Sequence, residues 1–187
     1  MNAFDFAAQG LGLNESQQKA ALQDYLTTGG QNLDPSVTAW CAAFVNAAIQ
    51  KSGGQGTGSN MARSFLNWGQ SVDQPKIGDI AVFSRGDRNG PYGHVGFFDG
   101  YNQDGTIRVL GGNQGDSVSV SSYSPDNLLG FRRAGGAAPT QGRNALGQPN
   151  QQQATQNALS QPVWKAAVLD PNAFANRNPF TAIPYTG

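Results

Sequence analysis

The stretch that decides the fold is Asp79–Gly112, DIAVFSRGDRNGPYGHVGFFDGYNQDGTIRVLGG. Within it DIAVFS, HVGFFDGY and TIRVLGG carry the period-two, β-branched and aromatic pattern of strands. The loop RGDRNGPYG and the turn NQDG separate them. A short strand near VSVSSY and a closing LLGFRR extend the set. Upstream of Pro75 the period is helical instead. Asn14 and Gln17 resemble a capping box that opens ESQQKAALQDYLTT, and Gly29-Gly30 ends that run. DPSVTAWCAAFVNAAIQKSGG reads as a second helix, with Thr38 as N-cap and Gly53-Gly54 beyond its end. NMARSFLNWG is a short third, with Met61, Phe65 and Trp68 at helical spacing. Helices first and an antiparallel sheet after give an α+β domain.

The totals narrow the function. The 187 residues carry 12 basic and 12 acidic side chains, a balance that predicts no attraction to nucleic acid or an anionic membrane. One cysteine excludes an internal disulfide, one histidine excludes a His-rich metal centre, and no cofactor is expected. The opening MNAFDFAAQG lacks the basic and apolar regions of a signal peptide, and no apolar run is long enough to span a membrane. Synthesis in a cytoplasm without a signal peptide is the expectation.

Composition changes near residue 135. Residues 1–135 hold the periodic segments; 136–187 are rich in Gln, Asn, Pro and Gly, with Trp164, Val168, Leu169, Phe174, Phe180 and Tyr185 spaced along them. Such a segment buries too little surface to offset its own ordering, so it reads as an extended arm that folds against a partner.

Chemistry concentrates on three residues. Counted from a Thr38 cap, Cys41 falls at the third helical position, inside the first turn. Unpaired N–H groups and the helix dipole there favour a thiolate and suit an oxyanion. The competing reading is a small buried core residue. His94 opens a strand after a Gly- and Pro-rich loop. With Asp104-Gly105 as a two-residue turn, His94 pairs with Gly115 and Gly96 with Asn113. Asn113 then shares a face with His94 and can orient its ring, while Gly96 leaves the space open. A three-residue loop brings Gln114 to that face instead. Both remain open at this point.

TAWCAAFVNAAI, KIGDIAVF, GPYGHVGFFDG and RVLGGNQGD together resemble the cysteine peptidase/amidase superfamily of the NlpC/P60 and CHAP type, closest to a subgroup frequent in bacteriophages. The resemblance spans roughly residues 12–133. It implies a papain-like core, Cys41 as nucleophile, His94 as base and Asn113 as the polar third residue. It also implies cleavage of a peptidoglycan stem peptide or of the N-acetylmuramoyl-L-alanine amide bond, with no metal. Family members often carry an acidic residue where this chain has Gly111. Trp40, Gln114 and Arg88 are the candidates for binding substrate, against core packing for Trp40 and a solvated loop charge for Arg88. Arg85 and Asp87 share that loop and the same two readings, contact with the carboxylates of a stem peptide or solvated loop charge, and Asp79 reads as a strand-start residue. The arm, with the phage-like wording, points to a virion component, in the tail or internal, bound to phage structural proteins and acting at the bacterial wall. The rivals are an inactive structural or adaptor protein of a virion, and a thiol transferase or deamidating effector on the same scaffold.

Overall fold

A computed structural model describes residues 1–135; the arm predicted for 136–187 lies outside the described residues. Helices α1 (Ala3–Gln9), α2 (Lys19–Thr28) and α3 (Cys41–Lys51) precede a 3-10 helix (Ala62–Asn67). Six strands complete the fold: β1 (Gln70–Val72), β2 (Ile80–Ser84), β3 (Gly93–Tyr101), β4 (Ile107–Gly111), β5 (Ser119–Tyr123) and β6 (Leu128–Arg133). They form one sheet in the order β1-β6-β2-β3-β4-β5, antiparallel throughout. The α+β class expected from the sequence is what forms.

Helix α1 and strand β1 have no counterpart in the sequence reading. Helix α1 is opened by Asn2, whose Oδ1 accepts from the Asp5 N–H (3.0 Å) while Asp5 returns the bond to the Asn2 N–H (2.9 Å). Strand β1 is three residues long and pairs only with β6, too short to show a period. The Asn14 cap is present, with Oδ1 accepting from the Gln17 N–H at 2.9 Å. Its reciprocal bond comes from Gln18, not Gln17, and the α-helix starts only at Lys19.

Strand β2 reads as a continuous apolar run because both of its faces are covered. Ile80 and Val82 join Val95, Phe97 and Leu110 beneath the helices. Ala81 and Phe83 join Phe98, Val109 and Phe131 in a second cluster, on the opposite face by strand alternation. Helix α3 is buried on all sides, every residue from Cys41 to Ile49. An apolar helix of that kind belongs in a core, and its alanines let neighbouring elements approach closely. Phe44 stacks on Tyr25 (5.3 Å between centroids) and meets Trp40 edge-on. Burial of Phe44, Val45 and Ile49 stabilises the helix by about 1.5–3 kcal/mol each.

One mismatch in the sheet creates the site. The β3–β4 pairs run from Tyr101↔Ile107 to Phe97↔Leu110, so the start of β3 extends beyond its partner. The chain leaving β4 presses on the beginning of α3: a Cβ on Gly112 would lie 2.5 Å from the Trp40 ring and 2.6 Å from the Phe44 Cβ. The notch beside His94 and Val95 is where helix α3 begins.

Candidate active site

Cys41 is the first residue of α3, not the third. Thr38 is used up in the preceding turn, where its N–H donates to the Asp34 carbonyl (3.1 Å), and the cap position falls to Trp40 with no side-chain bond. The helix therefore points its first free amides at the sulfur. The backbone N–H groups of Val95, Ala42 and Cys41 and the Arg85 charge all favour its thiolate. Burial opposes all four and is the largest effect, so the thiol's pKa is raised.

Trp40 is fully buried and cannot line a groove, which corrects its assignment to substrate. Its Nε1–H donates to Glu15 Oε2 at 2.8 Å, and its ring packs against Phe44 and the Gly112 backbone. It anchors the residue before Cys41.

The hairpin joining β3 and β4 turns through a three-residue loop, not the two-residue turn. Asn102 and Thr106 face each other, with the Asn102 N–H donating to the Thr106 carbonyl (2.9 Å), and Gly105 takes φ +81°. A bulge at Asp99 adds a second shift of register. The pairing of His94 with Gly115 expected from a two-residue turn therefore does not form. Gln114 reaches His94 instead, with 3.1 Å between His94 Nε2 and Gln114 Oε1. Asn113 occupies the left-handed region (φ +57°), which asparagine tolerates better than most residues, and makes no hydrogen bond to His94. Nor does Gly96 leave open space: a Cβ there would meet Val109 Cγ1 at 2.4 Å.

The Gln114 amide can sit only one way round. Its Nε2 donates to the Ser119 carbonyl (2.6 Å) and the Val109 carbonyl (3.3 Å), which accept but cannot donate. Its Oε1 receives the Tyr123 hydroxyl at 2.9 Å and faces His94. His94 Nε2 must then carry the ring proton, which leaves Nδ1 as the basic nitrogen. Tyr123 also stacks on the imidazole, 5.0 Å between centroids and 10° from parallel, and on Phe83 behind it. His94 is 4% exposed. Burial drives its pKa down to about 4, with Gln114 pulling upward and Arg85 adding a small downward push. Thiol and imidazole are thus both held neutral at rest.

Tyr123 is the residue that sequence reasoning missed. The signal was the alternation of VSVSSY, which puts Ser119, Ser121 and Tyr123 on one face of β5. Arg88 is a strap, not a substrate ligand: its guanidinium donates to the carbonyls of Asp126 (2.7 Å) and Leu128 (2.9 Å). Its own carbonyl receives Arg63 at 2.6 Å. Asp79 is structural, paired with Arg133 through two bonds of 2.8 and 2.6 Å. Among the described residues no three His, Cys, Asp or Glu side chains gather as a metal site.

Comparison with known proteins gives one family match. Residues 33–113 match the CHAP domain, a span that holds Cys41 and His94 and stops one residue before Gln114. Curated proteins gave no match to the chain. CHAP domains are typically cysteine hydrolases and amidases, and the match supports hydrolysis of peptidoglycan. The matched span, residues 33–113 of 187, is consistent with a CHAP-like cysteine peptidase and amidase superfamily.

Proposed function

We propose that the protein cleaves an amide bond of peptidoglycan, in the stem peptide or at N-acetylmuramoyl-L-alanine, through a thioester on Cys41. The observation that carries this reading is the ordered series Tyr123–Gln114–His94 beside a thiol at a helix start. His94 Nδ1 takes the thiol proton and the sulfur attacks the carbonyl carbon. The N–H groups at the start of α3 receive the oxyanion. As the C–N bond breaks, the His94 proton passes to the leaving amine. Water, deprotonated by His94, then attacks the thioester and releases a carboxylic acid and the free thiol. Gln114 keeps the ring in the tautomer this cycle needs.

Digestion of purified peptidoglycan by the wild type, Cys41→Ala and His94→Ala, with mass spectrometry of the released fragments, tests the reading and names the bond. Soluble fragments from the wild type alone are expected. Equal release by Cys41→Ala would overturn it. We extend the proposal to a role in a bacteriophage virion, supported by the phage-like wording of the motifs and the Gln/Asn-rich composition of 136–187. Virion-bound protein is then the form acting on the wall, and proteomics of purified virions lacking this chain would exclude it.

A further inference from the structure

An open cavity of about 440 Å³ adjoins His94, and its lining has an uneven charge. Asn113, Gln114, Ser121 and Tyr123 supply neutral polar groups, Arg85 supplies a positive charge, and no acidic side chain lines it. The neighbouring arginines of the same region are committed, Arg63 to the Tyr92 and Arg88 carbonyls and Arg88 to Asp126 and Leu128. The Arg85 guanidinium makes no hydrogen bond or ion pair among the described residues. Its backbone is nevertheless fixed, since it follows the last β2 residue, Ser84, and its N–H donates to the Tyr92 carbonyl (3.3 Å). A cation held at the rim of a polar cavity, with no anion of its own, has the chemistry of a carboxylate receptor.

We infer that Arg85 is a specificity-determining residue that binds a carboxylate of the substrate close to the bond attacked by Cys41. The inference rests on the hydrolase reading for its substrate, a peptide with a free carboxylate near the scissile amide, but not for its anion site. The influence of Arg85 on both Cys41 and His94 agrees with that proximity. The neutral lining residues are left to hydrogen-bond the peptide amides.

Two measurements test it. Synthetic stem peptides with the adjoining carboxylate free or converted to carboxamide are hydrolysed by the wild type, Arg85→Gln and Arg85→Lys. The wild type prefers the free acid in kcat/KM by roughly tenfold or more, the scale of a charge-assisted hydrogen bond. Arg85→Gln abolishes the preference chiefly through KM, and Arg85→Lys keeps part of it. A wild type indifferent to amidation overturns the inference. The second measurement needs no turnover: alkylation of Cys41 by iodoacetate, an anion, against iodoacetamide, its neutral analogue. In each the thiolate displaces iodide. Arg85→Gln is expected to lower the iodoacetate-to-iodoacetamide rate ratio several-fold, whereas a residue that merely stabilises the thiolate changes both rates together. An unchanged ratio overturns the anion site. A lowered ratio in a protein that hydrolyses no peptide overturns the hydrolase reading and leaves the anion site standing.

Discussion

His94 Nε2 lies 3.1 Å from Gln114 Oε1, and the preceding residue, Asn113, makes no hydrogen bond to that ring. The two amides therefore separate under mutation. Gln114→Ala removes the acceptor that fixes the tautomer and should lower kcat by roughly 100-fold, the scale of a misplaced catalytic group. Asn113→Gly keeps the left-handed backbone (φ +57°) and should leave kcat within a few-fold. Steady-state kinetics on soluble peptidoglycan fragments decides between them; the reverse order would return the orienting role to Asn113.

The same pair shows how far the sequence could be read. Four of the five longer strands announced themselves by alternation, β2 by its continuous apolar run, and the helix around Cys41 by its own apolar run. The pairing of one strand with the next did not. It depends on a three-residue loop and a bulge at Asp99, and each moves the partner of His94 by a residue. Gln114 was reachable as the outcome of one loop length, and what holds that length is local. Asp104 Oδ1 accepts from the Thr106 N–H (2.9 Å) and Asn102 Nδ2 donates to Thr106 Oγ1 (2.9 Å), with Gly105 in the left-handed region. Trp40 and Arg88 failed for a different reason. Type and position in the chain suit a groove, yet Glu15 claims one and two backbone carbonyls claim the other, contacts made across the fold.

Tyr123 holds the ring from its face and Gln114 from its oxygen. Burial pushes the Tyr123 pKa up to about 12, with the nearby Cys41 adding to the rise, so the hydroxyl stays a donor at every working pH. Tyr123→Phe keeps the stack and deletes that bond, and should cost about 1 kcal/mol of stability with a several-fold fall in kcat. Urea unfolding and kinetics on the same preparation measure both. Unchanged kcat would leave the hydroxyl no part in orienting Gln114.

His94 links the site to acid stability. Its folded pKa, near 4, lies below the ordinary value of 6.5. Between those values the unfolded chain binds a proton that the folded chain refuses. The neutral histidine's contribution is therefore complete above pH 6.5 and is lost progressively as pH falls towards 4, about 3 kcal/mol in all by linkage. A His94→Gln variant lacks this loss, so its stability relative to the wild type should rise across that window. Denaturation at a series of pH values reads the difference, and parallel curves would contradict the buried neutral ring. Because the base must be neutral to accept a proton, the acid limb of kcat/KM should also fall near pH 4.

Adjacent glycines separate function from stability. A Cβ on Gly111 would lie 3.0 Å from Gln114 Oε1 and 3.2 Å from His94 Nε2, so a side chain here would crowd the Gln114 amide against the imidazole. Gly111→Ala is expected to displace the end of a side chain rather than backbone, lowering kcat by roughly tenfold or more through misplacement of the base, with little change in unfolding midpoint. On Gly112 the added methyl would press on the Trp40 ring and the Phe44 Cβ, both in the buried core. Gly112→Ala should cost about 1–3 kcal/mol, the penalty of overpacking a core. It also shifts the start of α3 on which Cys41 is carried. The contrast is measured by unfolding midpoint and kcat for each variant. A Gly111→Ala protein as active as the wild type would mean that Gln114 is not the group holding His94.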